Sequence, residues 1–316
     1  MSTATPLSVS ICVLTYNRCA LLRQLLEELQ TITYAPLEIL VVDNHSEDET
    51  QQIVALNFAT FRYIQTGANI GTAARNIGMT MAKHDIIITL DDDVNGLTSN
   101  AIDSVARKFA EDPKLGAVNF SVRNPDGNVC NWVHHCKQEE FYDKDFSTYE
   151  ITEGAVAFRK EALEYAGYYP ETFFLSHEGP DLAFRILESG FKVIYTGDVT
   201  VEHHFASEGR KHWRNYYYDT RNQFWLAARN FPFWYAAAYL LRGMSSMFVY
   251  SLRDRYVRYW LKGVIDGLRG LGGALRERKV LSAATMRSLR EIDSRRPSFA
   301  YLVKKRLLTK NGLLFK

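Results

Sequence analysis

The chain has 316 residues, enough for one large domain or two ordinary ones. Hydrophobic residues make up 47% and charged residues 23%, which excludes a chain too polar to bury a core. The formal net charge of +2 hides an asymmetry: from Ser251 onward 17 Lys and Arg face 5 Asp and Glu, a local +12, and the preceding residues carry a local −10. A basic tail behind an acidic body suits an anionic partner for the tail, either phospholipid headgroups or nucleic acid.

The four cysteines, Cys12, Cys19, Cys130 and Cys136, are scattered, and "MSTATPLS" lacks the apolar stretch of a signal peptide. Reduced thiols in a cytoplasmic protein are the expectation. "CNWVHHC" has no standard zinc spacing and reads as a loop.

The elements follow in chain order. "VSICVLTYNR" opens as a buried strand that stops at a polar cluster, and "ALLRQLLEELQTI" carries Leu at helical spacing. "LEILVVDNHSEDET" repeats the scheme, a strand and then an acidic loop ending in helix-start residues. "QQIVALNF" predicts a short helix, "FRYIQT" a short strand, "GANIGTAARNIGMTMA" a loop entering a helix, and "DIIITLDDD" the next strand. Strand and helix alternating at this spacing predict an α/β domain with a parallel sheet.

Further on, "AIDSVARKFAED" predicts a helix and "GAVNFSVRN" a strand, while residues 128–150 have weak periodicity. "EGAVAFRKEALEYAGYYPE" predicts strand then helix, and "DLAFRILESGFKVIYTG" helix then strand, with "TVEHHFA" ending the strand after it. From Trp213 the chain is helical and aromatic, and from Phe231 apolar and then basic.

Three polar clusters stand at strand ends: Thr15–Arg18, Asp43–Asp48 and Asp91–Asp93. An open α/β sheet binds its ligand at the carboxyl ends of its strands. Three consecutive aspartates there suit a hard cation, because Mg²⁺ or Mn²⁺ takes one or two carboxylates and completes its shell with water and phosphate oxygens.

"VSICVLTYNR", "LEILVVDNHSEDET", "NIGTAARNIGM" and "TLDDDV", followed by "ITEGAVAFRKEALEYAGYYPE", "HEGPDLAFRILESGFKVIY" and "VEHHFA", resemble the successive motifs of family 2 glycosyltransferases. Those are inverting enzymes with the GT-A fold, a Rossmann-like, mostly parallel sheet flanked by helices. The resemblance runs over about residues 8 to 230 in the right order; each motif alone is weak, and the ordered set is specific for family rather than substrate.

The resemblance implies roles for particular residues. Thr15, Tyr16 and Arg18 would line a nucleotide pocket, with Asp43 bonded to the base or ribose. Asn69, Gly71, Arg75 and Asn76 would lie beside the nucleotide and its diphosphate. Asp91 and Asp93 would hold Mn²⁺ or Mg²⁺, with Asp92 between them near the nucleotide. The metal would be shared with His203 or His204, of which His203 is preferred.

A catalytic base would stand in the acidic stretch His177-Glu178-Gly179-Pro180-Asp181, where the family's second acid is replaced by Gly179. Glu178 and Asp181 are the two candidates, Glu178 the favoured one; Asp181 reads equally well as a helix N-cap, and His177 could support either carboxylate. Arg210, Arg214 and Arg221 could face phosphates or solvent.

The expected organisation is a catalytic domain over residues 1–228, binding a nucleotide-diphosphate sugar and a glycan or lipid-linked acceptor, and a helical, aromatic and basic extension over 229–316. "FPFWYAAAYLL" has 11 apolar residues before Arg242, too few to span a bilayer. The Arg, Trp, Tyr and Leu mixture after it suits a helix lying on an anionic membrane. Peripheral association with the cytoplasmic face of an inner membrane is one expectation; packing on the body or homodimerisation is the other use of these helices. The acidic body disfavours nucleic acid. The competing classes are a degenerate binding protein, supported by Gly179, and a nucleotidyltransferase, which "TYNRCALL" disfavours because it lacks a Gly-rich, Lys-containing loop.

Overall fold

The computed structural model describes residues 6–130, 136, 138–204, 212–298 and 301. The chain begins β1 (Val9–Thr15), α1 (Cys19–Leu29), β2 (Leu37–Asp43), α2 (Thr50–Asn57), β3 (Arg62–Gln65), α3 (Ala74–Met81), β4 (Ile86–Asp91) and the short β5 (Val94–Asn95). It continues α4 (Ser99–Glu111), β6 (Leu115–Arg123), α5 (Gln138–Phe141), β7 (Phe146–Ser147), β8 (Ala155–Arg159), α6 (Lys160–Ala166), α7 (Glu178–Glu188) and β9 (Lys192–His203). The C-terminal helices are α8 (Trp213–Asn230), α9 (Phe233–Arg253), α10 (Val257–Arg269), α11 (Leu271–Arg276) and α12 (Ala283–Asp293).

One sheet runs β3-β2-β1-β4-β8-β6-β9-β5, with β7 also paired to β9. Alternate side chains of a strand face opposite sides, and both sides are apolar here. Val9, Ile11 and Val13 of β1 and Ile86, Ile88 and Leu90 of β4 pack against Leu22 and Leu26 of α1 and Ile102 and Val105 of α4. Cys12, Leu40 and Ile87 face the other way, into a cluster with Met79, Phe158, Leu182 and Ile186. This explains the near-continuous apolar runs: a strand covered by helices on both faces has no solvent side to alternate toward.

The expected parallel order holds for β3, β2, β1 and β4. Beyond β4 the sheet turns mixed: β8 inserts antiparallel between β4 and β6, while β6 and β9 run parallel. The strand expected to end at "VEHH" is the far half of one 12-residue strand, β9, with an irregular register against β6. Residues 131–135, the interior of the "CNWVHHC" stretch, lie outside the described residues, as does Arg210. Helix α8 packs against α9, α10 and α11, and also reaches the sheet-bearing half through α7.

Candidate functional site

The carboxyl ends of β1, β2 and β4 stand side by side, with Thr15 opposite Asp43 and Leu14 opposite Asp91. The first two loops are tied together. Asn17 N–H donates to Ser46 Oγ at 2.8 Å, Glu47 N–H donates to Asn17 Oδ1 at 2.7 Å, and Cys19 N–H donates to Asp48 Oδ2 at 3.0 Å. Tyr16 is exposed on this rim. Asp43 is buried: its carboxylate accepts from the Tyr63 hydroxyl at 2.5 Å, from Gln65 at 3.3 Å and from Ser46 N–H at 2.8 Å. Those bonds hold the loop after β2.

Each of the three aspartates has a cation against it, Arg75 for one and Arg18 for the other two. Asp91, at the end of β4, pairs with Arg75. It sits against Gly154, where an added Cβ would fall 2.4 Å from the Asp91 carboxyl carbon. Asp92 is buried and accepts from Thr15 Oγ1 at 2.8 Å and from Arg18 at 3.0 Å. Burial pushes its carboxyl up to about 7, although Arg18 opposes the shift. Asp93 accepts from the same Arg18 nitrogen at 3.0 Å, and its other oxygen lies 3.1 Å from His203 Nε2.

Pairing of Val94 with His203 in the short β5–β9 ladder brings this histidine to the aspartates. His204 points elsewhere, 2.8 Å from Glu202 and partly exposed.

The donor set fits a small divalent cation. Adjacent ligands of an octahedral ion at about 2.1 Å lie about 3 Å apart, and the Asp93 oxygen and His203 nitrogen have that separation. Among the described residues no three His, Cys, Asp or Glu side chains gather to hold an ion by themselves. That matches ions which take few protein ligands and fill their shell from phosphate and water.

Behind this rim lies the "NIGTAARN" segment. Asn44 donates to Asn69 Oδ1 at 3.0 Å and accepts from Ile70 N–H at 2.9 Å, and Gly71 N–H also donates to Asn69. Asn76 is occupied structurally: it donates to the Tyr169 carbonyl at 2.9 Å and accepts from Tyr169 N–H at 3.0 Å. Arg75 is 5% exposed. One of its nitrogens pairs with Asp91, while Nε and Nη1 are buried without a hydrogen-bond partner among the described residues.

The acidic stretch corrects two expectations. Helix α7 starts at Glu178, three residues before Asp181, and His177 is its N-cap. Pro180 fits within the first turn because an N–H there has no helical acceptor to lose. Asp181 is therefore not the cap. It is buried, accepting from Arg185 and Arg229 at 3.0 Å and from Asn230 at 2.8 Å, and it brackets α7 to α8. His177 supports neither carboxylate; it is half-buried beside Asp219 of α8, and desolvation lowers its pKa.

Glu178 is 2% exposed, and its Oε2 has no hydrogen-bond partner among the described residues. Burial raises its pKa.

The turn before Glu178 holds three non-glycine residues at positive φ, Phe174, Ser176 and His177. Such strain persists only where neighbours over-determine it. Asn222 of α8 does so by donating to the carbonyls of Phe173 at 3.0 Å and of Leu175 and Ser176 at 2.7 Å. Arg221 adds a bond to the Phe173 carbonyl at 2.6 Å and stacks over Trp225. It is thereby committed to this turn, while Arg214 is half-buried at the start of α8. Sequence reasoning missed Asn222, since one Asn in an aromatic helix carries no signal.

It also missed Glu153, half-buried beside Arg75, Asp91 and Glu178. Burial first, and the Glu178 charge second, push the Glu153 carboxyl up to about 8.

The family model described as glycosyl transferase family 2 matches residues 10–166. An N-acetylglucosaminyl-diphospho-decaprenol L-rhamnosyltransferase of Mycobacterium tuberculosis is 22% identical over 327 aligned positions, covering 90% of this chain and 98% of that protein. The O-antigen chain rhamnosyltransferase RfbN of Salmonella typhimurium is 23% identical over 67% of this chain and 71% of its own length. Among solved structures, S. aureus TarS 1–349 superposes with a TM-score of 0.60 at 15% identity, covering 90% of this chain and 88% of that one. The mannosyltransferase PcManGT from Pyrobaculum calidifontis, in complex with GDP-Man and Mn²⁺, superposes at 0.55 with 21% identity, covering 97% and 81%. These likenesses show a GT-A-like fold with a helical C-terminal region.

Proposed function

The chain belongs to glycosyl transferase family 2, and from that premise we propose that it moves a sugar, with inversion, from a nucleotide-diphosphate donor to a lipid-linked or glycan acceptor in surface polysaccharide assembly. Arg75 carries the reading: a buried guanidinium with one nitrogen on Asp91 and two unpaired N–H donors is costly unless an anion completes it. A diphosphate at the carboxyl ends of the strands is such an anion. Asp93 and His203 would hold Mn²⁺ or Mg²⁺, with water and phosphate oxygens completing the shell, and the ion's charge would neutralise the departing diphosphate; Asp91, expected to share the ion, is paired with Arg75 instead. Asn69 and Gly71 shape the loop beside it, and Thr15, Tyr16 and Arg18 form the opposite wall. Asp181 is a positioning residue for α7. The rhamnosyltransferase relatives make a rhamnosyl nucleotide the first donor to try, and N-acetylglucosaminyl-diphospho-decaprenol the first acceptor.

Calorimetric titration of UDP, dTDP, GDP and CDP, each with and without Mn²⁺, tests this reading on the wild type and on Asp93→Asn. One nucleotide that binds tightly only with metal and with Asp93 is the expected result. Failure of all four under every condition would sink it.

The C-terminal helices fit a membrane surface. Among the described residues no helix is long and apolar enough to cross a bilayer. Trp234, Leu241, Phe248 and Leu252 of α9 are exposed, and their spacing of 7, 7 and 4 aligns them in one stripe. Leu261, Ile265 and Leu268 form a second exposed stripe on α10, near Lys262 and Arg269. Apolar side chains beside cations match an anionic lipid surface on the cytoplasmic side. In vesicle flotation the chain should rise with anionic vesicles, and Trp234→Asp with Leu241→Asp should remain below; equal flotation of both would remove the membrane assignment.

A further inference from the structure

The family's second acid is absent at Gly179, and the structure holds another carboxylate in the space its side chain would fill. A Cβ added at Gly179 would fall 2.3 Å from Glu153 Oε1 and 2.8 Å from the Ile151 carbonyl oxygen. Both distances are shorter than real Cβ contacts, so no side chain fits at 179 while Glu153 stays in place. Glu153 comes from the strand side, just before β8, whereas Glu178 and Gly179 come from the start of α7.

Its position is fixed from two sides. Thr89 Oγ1 of β4 donates to the Glu153 carbonyl at 2.6 Å, and Asp91 N–H donates to the adjacent Gly154 carbonyl at 3.2 Å. Glu153 therefore stands beside the same strand end as the aspartates.

We propose that Glu153 is the general base of the transfer, a carboxylate relocated from the start of α7 to the entry of β8. The inference rests on the transferase reading. The proton of the acceptor hydroxyl passes to a Glu153 oxygen as the acceptor oxygen bonds to the anomeric carbon. The bond from that carbon to the donor phosphate breaks, and the nucleoside diphosphate leaves with the electron pair. Glu178 cannot take this role as readily: it is almost wholly enclosed, with Oε2 shut inside the protein. Its buried charge acts on Glu153. Glu178, Asp91 and Arg75 are the charged groups acting on Glu153, and Tyr169 is buried beside them. Burial and the Glu178 charge both favour the protonated form of Glu153 over that of an ordinary carboxylate.

The test measures nucleoside diphosphate release from the rhamnosyl nucleotide that calorimetry selects, with N-acetylglucosaminyl-diphospho-decaprenol as acceptor. Glu153→Gln should lower kcat by about 10²- to 10⁴-fold, the usual worth of a general base, with donor affinity within about twofold of wild type. Glu153→Asp should recover part of that loss, and the wild-type kcat/KM should climb with pH toward about 8. A melting temperature at or above that of the wild type would separate lost chemistry from lost fold. Near-normal turnover by Glu153→Gln while Glu178→Gln is dead would overturn the assignment. So would a loss of donor binding that matches the loss of turnover. An inactive wild type that binds no nucleotide would instead remove the transferase reading itself.

Discussion

Two acidic clusters share one rim, and they are built in opposite ways. Each of Asp91, Asp92 and Asp93 has a basic side chain against it: Arg75 for the first, Arg18 for the second and third, and His203 for the third as well. Glu153 and Glu178 have each other, the more distant charge of Arg75, and an enclosure that raises both pKa values. Carboxylates answered by cations have their charge offset by a neighbour, although burial still pushes the Asp92 carboxyl up. Carboxylates enclosed together hold a proton, and releasing or accepting it is what they can do.

The largest expected effect breaks the first cluster. Asp93→Asn keeps the side chain's shape and removes its charge, so Arg18 stays with Asp92 while His203 loses its anionic neighbour. The metal-dependent part of nucleotide affinity should fall by more than about 100-fold in calorimetry, with metal-free binding little changed. An affinity that keeps its metal dependence would place the ion elsewhere.

The second cluster can be probed through stability. The folded chain holds the Glu153 carboxyl near 8, well above its ordinary value, so between the two values the folded state binds more protons than the unfolded one. Stability contributed by this group is therefore present at low pH and is lost as pH rises through that window. Glu153→Gln stays neutral throughout. Its melting temperature should exceed that of the wild type by a few degrees at about pH 9 and by less at about pH 5. The same substitution that removes turnover should thus make the fold more robust, and a variant less stable at both pH values would argue against the enclosed pair.

The contrast between the clusters explains what could be read in the sequence. The aspartates were legible because they are consecutive and follow an apolar strand, and the strand order put them on a rim. The layering was legible too, since two-sided burial leaves continuous apolar runs. The antiparallel insertion of β8 was not, because a strand buried on both faces looks the same in either direction. Glu153 escaped notice because its partner Glu178 is distant in sequence and its importance lies in the empty space at Gly179. Asp181 reads as a candidate base or, equally, a cap, because its partners, Arg229 and Asn230, come from a helix some fifty residues on.

A smaller effect is expected from the brace that aims Glu178. Asn222→Ala removes the side-chain bonds to the carbonyls of Phe173, Leu175 and Ser176, in a turn where Phe174, Ser176 and His177 already lie in the left-handed region. The Phe173 carbonyl keeps its bond from Arg221, and leaving the other two carbonyls unsatisfied costs about 1–3 kcal/mol, so chemical denaturation should show a loss of about 2 kcal/mol. Turnover should fall further than donor affinity, because the turn leads to Glu178 while the aspartates are held by β1, β4 and β9. Equal losses in both would mean that the two clusters are not mechanically separate.

The smallest effect concerns the two adjacent histidines at the end of β9, of which the resemblance to the family favours His203. His203 is buried with its ring nitrogen 3.1 Å from Asp93, whereas His204 is partly exposed and pairs with Glu202. An exposed pair of this kind is worth about 0–1 kcal/mol. The backbone bond from His204 N–H to the Asp93 carbonyl survives replacement of the side chain. His204→Ala should therefore leave metal-dependent nucleotide binding within about twofold of the wild type, and His203→Ala should lose most of it. If the two substitutions were equally damaging, the damage would come from the shared β5–β9 ladder and not from a ligand. The aspartate cluster would then depend on backbone position more than on the imidazole beside it.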